Sequence, residues 1–203
     1  EPLIRRGIDE LFDGLGALPG LETLALTTNG SHLAESAQML RESGVNSINI
    51  SLDSLEPARF KAITRIGDLE TVLRGIDQAI ACGFERIRLN AVVLDGLNRD
   101  EVIPLTQYAL DKNIHIAFIE EMPLGQVNIG GKALAYVSSD TLQDELAEHF
   151  SLIPMTARDT AGPSRDYLIA GSQTQVGFIS PHSQNFCAQC NRLRMSAEGR
   201  LLM

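Results

Sequence analysis

The sequence is poor in cysteine and contains no long apolar run. Its cysteines, Cys82, Cys187 and Cys190, are too few and odd in number for a disulfide scaffold. No apolar stretch approaches the length that a membrane-spanning helix requires. Low-complexity tracts are missing, and 44% of the 203 residues are hydrophobic, which excludes a disordered chain. No secretory signal opens the sequence, so we expect a globular cytoplasmic protein.

Positive charge is in deficit. The sequence has 17 lysines and arginines against 26 aspartates and glutamates, which gives a formal net charge of −9 and an isoelectric point near 4.9. A general nucleic-acid or anionic-membrane binder needs a positive field, so these functions are excluded. A small anionic ligand remains compatible, because a few arginines in one cleft can reverse the local sign of the potential.

Short apolar runs alternate with longer amphipathic stretches. The candidate strands are 22–27, 47–51, 86–93 and 114–119. Apolar residues at helical spacing lie between them, and the residues that mark these helices are Leu33, Ala37, Leu40, Leu69, Val72, Leu73, Ile76, Ile80, Val102, Leu105 and Leu110. The alternation predicts an α/β fold of βα units, arranged as an incomplete TIM-type barrel, with a doubly wound open sheet as the alternative.

The pattern changes after Glu120, so we divide the chain into 1–121, a partial barrel, and 122–203, a C-terminal extension. Residues 122–137 are predicted to form a long loop, and Ser139 to cap a helix that runs to about His149. The tail, 151–203, is predicted to be loop-rich with one strand at 176–180. Glu1 is not an initiator methionine and the last residues form an apolar run, so we expect both ends to be truncated.

Polar or small residues follow each predicted strand. Ligands bind at the carboxyl ends of the strands in parallel α/β folds, so these positions are candidates for a binding rim. Ordinary turn and capping chemistry is the alternative explanation for each of them. The four segments are 27–30, 51–53, 93–96 and 120–122.

Cys187 and Cys190 form a C-x-x-C motif that could hold a metal or act as a redox pair. Two ligands make an incomplete metal site, because zinc and iron–sulfur centres need three or four. Arg192 and Arg194 follow directly and share one face of an extended segment, where their guanidinium groups suit a phosphate. A solvated strand face is the plainer interpretation of these arginines.

Five motifs, in order along the chain, resemble the molybdenum-cofactor biosynthesis protein A family, the radical S-adenosylmethionine GTP 3′,8-cyclases. They are Leu-Thr-Thr-Asn-Gly at 26–30, Asn-Ile-Ser-Leu-Asp-Ser at 49–54, Asn-Ala-Val-Val at 90–93, Phe-Ile-Glu-Glu-Met at 118–122 and Phe-Cys-Ala-Gln-Cys-Asn-Arg-Leu-Arg at 186–194. The opening Glu1-Pro2-Leu3 resembles the end of the family's Gly-Gly-Glu-Pro segment.

The resemblance implies a radical-SAM fold, two [4Fe–4S] clusters and S-adenosylmethionine as cofactors, and GTP as substrate. A deoxyadenosyl radical would abstract the ribose C3′ hydrogen of GTP, and C3′ would then attack guanine C8. An electron donor would reduce the clusters, and a homodimer is compatible with the family. The positions that match functional residues are Ser51 and Met122 for S-adenosylmethionine, Thr27, Arg88, Arg192, Leu193 and Arg194 for GTP, and Cys187 and Cys190 for the second cluster.

The sequence departs from the family pattern in four places. The C-x3-C-x2-C motif that holds the radical-generating cluster is absent from the 203 residues, and the third ligand of the second cluster would lie just past Met203. Arg88 replaces the usual lysine, which keeps the charge and changes the geometry. Ala117 stands where the family has an arginine. We therefore expect the 203-residue chain by itself to be catalytically inactive.

Two other functions fit parts of the sequence. One is a different radical S-adenosylmethionine enzyme with an auxiliary cluster, but the pair Arg192 and Arg194 favours a triphosphate substrate. The other is a non-catalytic α/β domain with structural zinc at Cys187 and Cys190, which leaves the strand-end motifs unexplained.

Overall fold

The computed structural model describes residues 1–122, 128–129, 132–156, 163–183, 193–196 and 198–202. The helices are α1 (Ile8–Gly16), α2 (Leu33–Glu42), α3 (Pro57–Thr64), α4 (Leu69–Ala81), α5 (Val102–Asp111) and α6 (Ser139–Ala147). The first strands are β1 (Ala25–Thr28), β2 (Ser47–Ser51), β3 (Arg86–Asp95) and β4 (His115–Glu120). Short strands follow as β5 (Asn128–Ile129), β6 (Lys132–Ala133), β7 (Ala135–Tyr136) and β8 (Leu152–Pro154). The last are β9 (Ser164–Ile169), β10 (Gln175–Ile179), β11 (Arg194–Met195) and β12 (Leu201–Leu202).

One mostly parallel sheet dominates the molecule, with the strand order β1-β2-β3-β4-β10-β9-β8. Strands β1 to β4 and β10 pair in parallel, whereas β9 and β8 add antiparallel. Strands β1 to β4 lie in the sheet in the same order as in the chain. Because the connections between parallel strands are right-handed and all run in the same direction across the sheet, α2, α4 and α5 lie on the same face. This arrangement disfavours the doubly wound alternative, whose strand order reverses and whose helices cover both faces.

The two faces of the sheet differ in polarity because side chains alternate along each strand. The helix-covered face is apolar and buried, and its central side chains are Ile48, Ile50, Ile87, Leu89, Ala91, Ile116, Phe118, Val176 and Phe178. Each fully buried valine, leucine, isoleucine or phenylalanine among them stabilises the fold by roughly 1.5–3 kcal/mol. The opposite face carries polar side chains and is described below as the polar face.

Local signals in the sequence set most helix ends. Asp68 caps α4 by accepting a hydrogen bond from the Thr71 amide at 2.9 Å. Gly44 and Gly83, with φ of +88° and +71°, directly follow the C-cap residues of α2 and α4, Ser43 and Cys82, as left-handed C-terminal glycines.

Helices α1 and α3 were not predicted. Each buries a single large side chain, Phe12 and Phe60 respectively. The apolar residues of α1, Ile8, Leu11, Phe12 and Leu15, do recur at helical spacing, so this signal was present and was missed, whereas the helical period of α3 is weak.

The predicted cap of α6 is wrong by one residue. Ser138, not Ser139, is the N-cap, and its Oγ accepts a hydrogen bond from the Thr141 amide at 3.1 Å. The helix ends at Ala147 rather than near His149.

The second part of the chain contains more strand than predicted. Within the predicted loop 122–137, β5 pairs with β6, and β7 pairs with the end of β3. Strands β8 and β9, in the tail predicted to be loop-rich, extend the main sheet beyond β10. Strand β9 lacks an apolar run because its half-buried residues include Ser164, Arg165 and Asp166.

No helix in the described residues is long and apolar enough to cross a membrane.

Candidate active site

Three of the predicted site residues lie together on the polar face. Thr27, Ser51 and Arg88 belong to β1, β2 and β3, and strand alternation directs all three away from the buried apolar positions beside them. The pairing register sets Thr27 beside Asn49, and Asn49 beside Arg88. Ser51 lies one row nearer the carboxyl ends, beside Asn90 of β3.

Arg88 is the central cation of this face. Its half-buried guanidinium donates from Nε to Asn49 Oδ1 at 3.2 Å. Burial lowers the pKa of Arg88, and the charge of Arg86 lowers it further, while Asp166 acts in the opposite direction. Arg88 forms no ion pair with any carboxylate in the described part of the chain. A half-buried arginine without a carboxylate is suited to an anionic ligand.

Asn90 provides an unpaired polar atom beside Ser51. Its Oδ1 is buried and has no hydrogen-bond partner among the described residues. On its other side, Asn90 pairs in register with Ala117 of β4, a side chain without polar atoms. A buried carbonyl oxygen left without a donor is unfavourable, so this position suits a ligand that carries a hydrogen-bond donor.

The loop after β2 is fixed by residues that follow β3. The buried amide of Asn98 donates from Nδ2 to Asp53 O at 2.8 Å and to Val92 O at 2.9 Å, while its Oδ1 accepts from Leu94 N at 3.0 Å. The buried carboxylate of Glu101 accepts hydrogen bonds from the Ser54 hydroxyl and from the amide that follows it. These contacts hold the segment just beyond Ser51 in one conformation.

Asp53 continues the β2–β3 pairing through its side chain. Its Oδ1 accepts from Val92 N at 2.8 Å, in the position that a backbone carbonyl would take if the ladder continued. Burial raises the pKa of Asp53, and the hydrogen bond from Val92 partly offsets this rise.

Glu1 lies at the carboxyl end of β1. Its Oε1 accepts a hydrogen bond from the Thr28 hydroxyl at 2.8 Å, and its Oε2 accepts one from the backbone N–H of Asn29 at 2.7 Å. The opening segment of the chain is thereby attached to the strand-end motif that contains Thr27.

Glu120 lies on the helix-covered side of β4. Its buried carboxylate accepts hydrogen bonds from Ser139 N at 2.7 Å, Ser183 N at 2.9 Å, Ser183 Oγ at 2.6 Å and His182 N at 3.2 Å. Burial alone would raise its pKa, but these hydrogen bonds outweigh burial and lower the pKa to about 2. Glu120 therefore joins β4, α6 and the segment after β10. Met122, two residues further on, is 52% exposed.

The remaining predicted residues are not brought to the polar face by any described contact. Cys187, Cys190 and Arg192 lie outside the described residues. Leu193 and Arg194 are exposed, and Arg194 begins β11, which pairs with β12 as a separate two-stranded sheet. The extended conformation predicted for this segment is present at Arg194.

The polar face also contains residues that sequence reasoning missed. His115 lies beside Arg88 in register, and its Nδ1 accepts a hydrogen bond from the backbone N–H of Gln175 at 3.1 Å. Arg86 lies on the same face, with its Nη2 3.9 Å from Asp166 Oδ2 of β9. Arg86 could have been found from the sequence, because it lies two residues before Arg88 and therefore on the same face of the strand. Asp166 had no such signal, because β9 was not predicted.

Gly177 of β10 makes room for Asp166. A Cβ atom at this glycine would collide with Ser164 Oγ and with Asp166 Oδ1. The two side chains are themselves joined by a hydrogen bond of 2.6 Å from Ser164 Oγ to Asp166 Oδ1.

A mostly parallel sheet with helices over its apolar face and a polar, arginine-bearing opposite face is consistent with a radical-SAM fold. The chain belongs to the radical SAM superfamily, whose family model matches residues 1–109. Residues 114–203 match the model described as Molybdenum Cofactor Synthesis C.

Curated relatives are similar to the whole chain. The GTP 3′,8-cyclase of Pseudomonas entomophila (strain L48) is 53% identical over 204 residues. The proteins of the same name from Pseudomonas putida (strain W619) and Saccharophagus degradans are 51% and 48% identical. All three alignments include 100% of this chain and 61% of the relative, so the chain spans about three fifths of the length of these relatives.

Proposed function

We propose that this chain carries binding regions of a GTP 3′,8-cyclase of molybdenum cofactor biosynthesis, a lyase that joins ribose C3′ of GTP to guanine C8. The observation that carries the proposal is the convergence of Thr27, Ser51 and Arg88 on one polar face of the sheet. The relatives of that name, similar along the entire chain, support it.

The GTP contacts in this proposal are Thr27, Arg88 and the segment Arg192, Leu193 and Arg194. Arg88 supports a triphosphate ligand, because it is half-buried and has no carboxylate partner among the described residues. Phosphate oxygens accept two parallel hydrogen bonds from one guanidinium group. The arginines at 192 and 194 would add two more such groups.

The S-adenosylmethionine contacts in this proposal are Ser51 and Met122, which end β2 and follow β4. Parallel strands present their ligands at these carboxyl ends. The unpaired Asn90 Oδ1 beside Ser51 fits a ligand rich in hydroxyl and amino donors. Asn98 and Glu101 would keep the loop after Ser51 in its binding conformation.

The described residues do not themselves fit an iron–sulfur cluster. They contain no group of three or more histidine, cysteine, aspartate or glutamate side chains placed to hold a metal. Cys82, the one cysteine among them, lies near Gln38 and Gln78, with contacts of 3.6 and 3.5 Å from its sulfur.

We nevertheless propose two [4Fe–4S] clusters for the whole protein, with Cys187 and Cys190 as ligands of the second. This part of the proposal rests on the family resemblance. When bound, a reduced cluster would supply an electron for the cleavage of S-adenosylmethionine.

The wider organisation follows the same proposal. We propose that the sheet forms a partial barrel with the polar face inside, divided at 1–121 and 122–203, although β10, β9 and β8 of the second part continue the same sheet. An electron donor, a homodimer and a cytoplasmic location belong to the proposal as well.

The test uses the full-length protein, reconstituted anaerobically with iron and sulfide. It is incubated with GTP, S-adenosylmethionine and a low-potential reductant, and 5′-deoxyadenosine and the cyclised nucleotide are measured by chromatography with mass detection. We expect both products from the wild type and from Arg74→Ala, which changes an exposed arginine of α4. Arg88→Ala and Arg194→Ala should lose the cyclised nucleotide.

Two results would contradict the proposal. Deoxyadenosine without cyclised GTP would keep the radical class of enzyme and exclude the substrate. Zinc as the only bound metal, with neither product formed, would favour a structural zinc site at Cys187 and Cys190 instead.

A further inference from the structure

Arg88 uses only one of its donor groups within the described protein. Its Nε donates to Asn49 Oδ1 at 3.2 Å, and neither Nη group donates to a residue that the structure describes. The two side chains are direct neighbours in register on β2 and β3, so this hydrogen bond joins the two adjacent strands directly. The two Nη groups at the end of the guanidinium are therefore available to donate hydrogen bonds to a ligand.

The neighbour on the other side of Arg88 provides no competing acceptor. His115 pairs in register with Arg88 on β4, and its Nδ1 already accepts from Gln175 N at 3.1 Å. Burial and the positive charges of Arg86 and Arg88 lower the pKa of His115 to about 4, although Asp166 opposes this shift. The imidazole is thus neutral near neutral pH and carries its proton on Nε2, which makes that nitrogen a donor.

Arg86 differs from Arg88 in its surroundings. Its Nη2 lies 3.9 Å from Asp166 Oδ2, so its charge is partly balanced. The partner of Arg88 is instead the neutral side-chain amide of Asn49. An amide oxygen orients a guanidinium group without neutralising its charge, whereas a carboxylate would do both.

We propose that Asn49 is a positioning residue that holds the Nε edge of Arg88, so that both Nη groups face a phosphate of the bound nucleoside triphosphate. This inference rests on the proposed function and deepens it. Asn49 does not touch the ligand. It restricts the guanidinium to the orientation in which two parallel hydrogen bonds to one phosphate can form.

The test compares nucleotide affinities by anaerobic calorimetry on the full-length protein, with GTP, guanosine and S-adenosylmethionine as the ligands. Asn49→Leu keeps the approximate size and removes the acceptor, and Asn49→Ala serves as a second variant if the leucine disturbs folding. We expect either variant to raise the dissociation constant for GTP about tenfold, the order of one charge-assisted contact. The affinities for guanosine and S-adenosylmethionine should remain within about twofold of wild type, since neither ligand offers a phosphate.

A double-mutant cycle separates positioning from general damage. In an Arg88→Met background, Asn49→Leu should change the GTP affinity by less than about twofold, because its effect passes through Arg88. Gln107→Leu, an amide-to-leucine change on α5, should match the wild type in every assay, since its amide bonds only to Asp111 among the described residues.

The outcomes are distinguishable. An unchanged GTP affinity in both Asn49 variants would overturn the positioning role and leave the proposed function standing. Equal losses for GTP and guanosine, or additive losses with Arg88→Met, would also overturn it, because they indicate structural damage. A wild-type protein that binds no GTP would remove the proposed function and this inference with it.

Discussion

We expect Glu120→Gln to destabilise the protein strongly although the substitution hardly changes the size of the side chain. Glu120 is 1% exposed and accepts hydrogen bonds from Ser139 N, His182 N, Ser183 N and Ser183 Oγ. A glutamine side chain has one carbonyl oxygen and one amide NH2 group. Both carboxylate oxygens of Glu120 accept hydrogen bonds, so in either orientation of the amide its NH2 group, a donor, would face donors of the protein.

The magnitude follows from the pKa of Glu120. The hydrogen bonds lower this pKa from 4.5 to about 2. At 1.36 kcal/mol for each pKa unit, the ionised form contributes about 3 kcal/mol to the free energy of unfolding. In a domain of this size, that loss corresponds to a fall in melting temperature of about 5–10 °C.

The sign of the pH dependence follows from a pKa that is lowered in the folded state. The stabilisation is fully present above the unfolded value near 4.5 and is lost as pH falls through 4.5 toward 2. Wild-type protein should therefore lose stability over this interval, whereas Glu120→Gln should lose less, because it has no such group to titrate.

The assay is thermal unfolding of the full-length protein, followed by circular dichroism near neutral pH and in the acid range. Glu121→Gln is the matched control, since Glu121 is adjacent and only half-buried and accepts no hydrogen bond from any described residue. If Glu120→Gln melts within about 2 °C of the control, the hydrogen bonds to Glu120 do not stabilise the protein by about 3 kcal/mol.

Three further outcomes are expected. Asn98→Ala should lower the free energy of unfolding by about 2–3 kcal/mol in urea titrations, because it removes three hydrogen bonds to backbone groups, one of them buried and two part-buried, and a loss below about 1 kcal/mol would contradict this. Gly177→Ala should destabilise by about 1–3 kcal/mol in the same titration, since its Cβ collides with Ser164 and Asp166, whereas Gly14→Ala, a helical glycine whose added Cβ meets no neighbour and whose φ is not positive, should not destabilise the protein. The imidazole proton signals of His115 in nuclear magnetic resonance spectra should not titrate between roughly pH 5.5 and 8, and a midpoint near the ordinary value of 6.5 would refute the burial of this group.

The sequence by itself determined the regular α/β part of the fold. Strands β1 to β4 were predicted to within a few residues, because buried parallel strands are apolar runs and the intervening helices show the helical period. The mostly parallel sheet is confirmed by the pairing of β1 to β4 and β10. Prediction failed at α3, where this periodicity is weak, and at β9, whose residues are half-buried and largely polar. Helix α1 was missed although its apolar residues recur at helical spacing.

The sequence also identified Thr27, Ser51 and Arg88 as candidate site residues, on the basis of strand ends and family motifs. Their assignment to ligands stays a prediction, as do those of Met122 and the segment from Cys187 to Arg194. The structure adds that the first three share the polar face, which follows from strand alternation once the strands are paired in register.

Only the tertiary structure decided which residues surround Arg88. Asn49 lies 39 residues before Arg88 in the sequence, and His115 lies 27 residues after it. Their contact depends on the register of three parallel strands, and a shift of one residue would turn each side chain to the opposite face. Linear sequence encodes the apolar runs that create each strand, but register arises from packing of the whole buried face, so the environment of Arg88 became visible only in the folded chain.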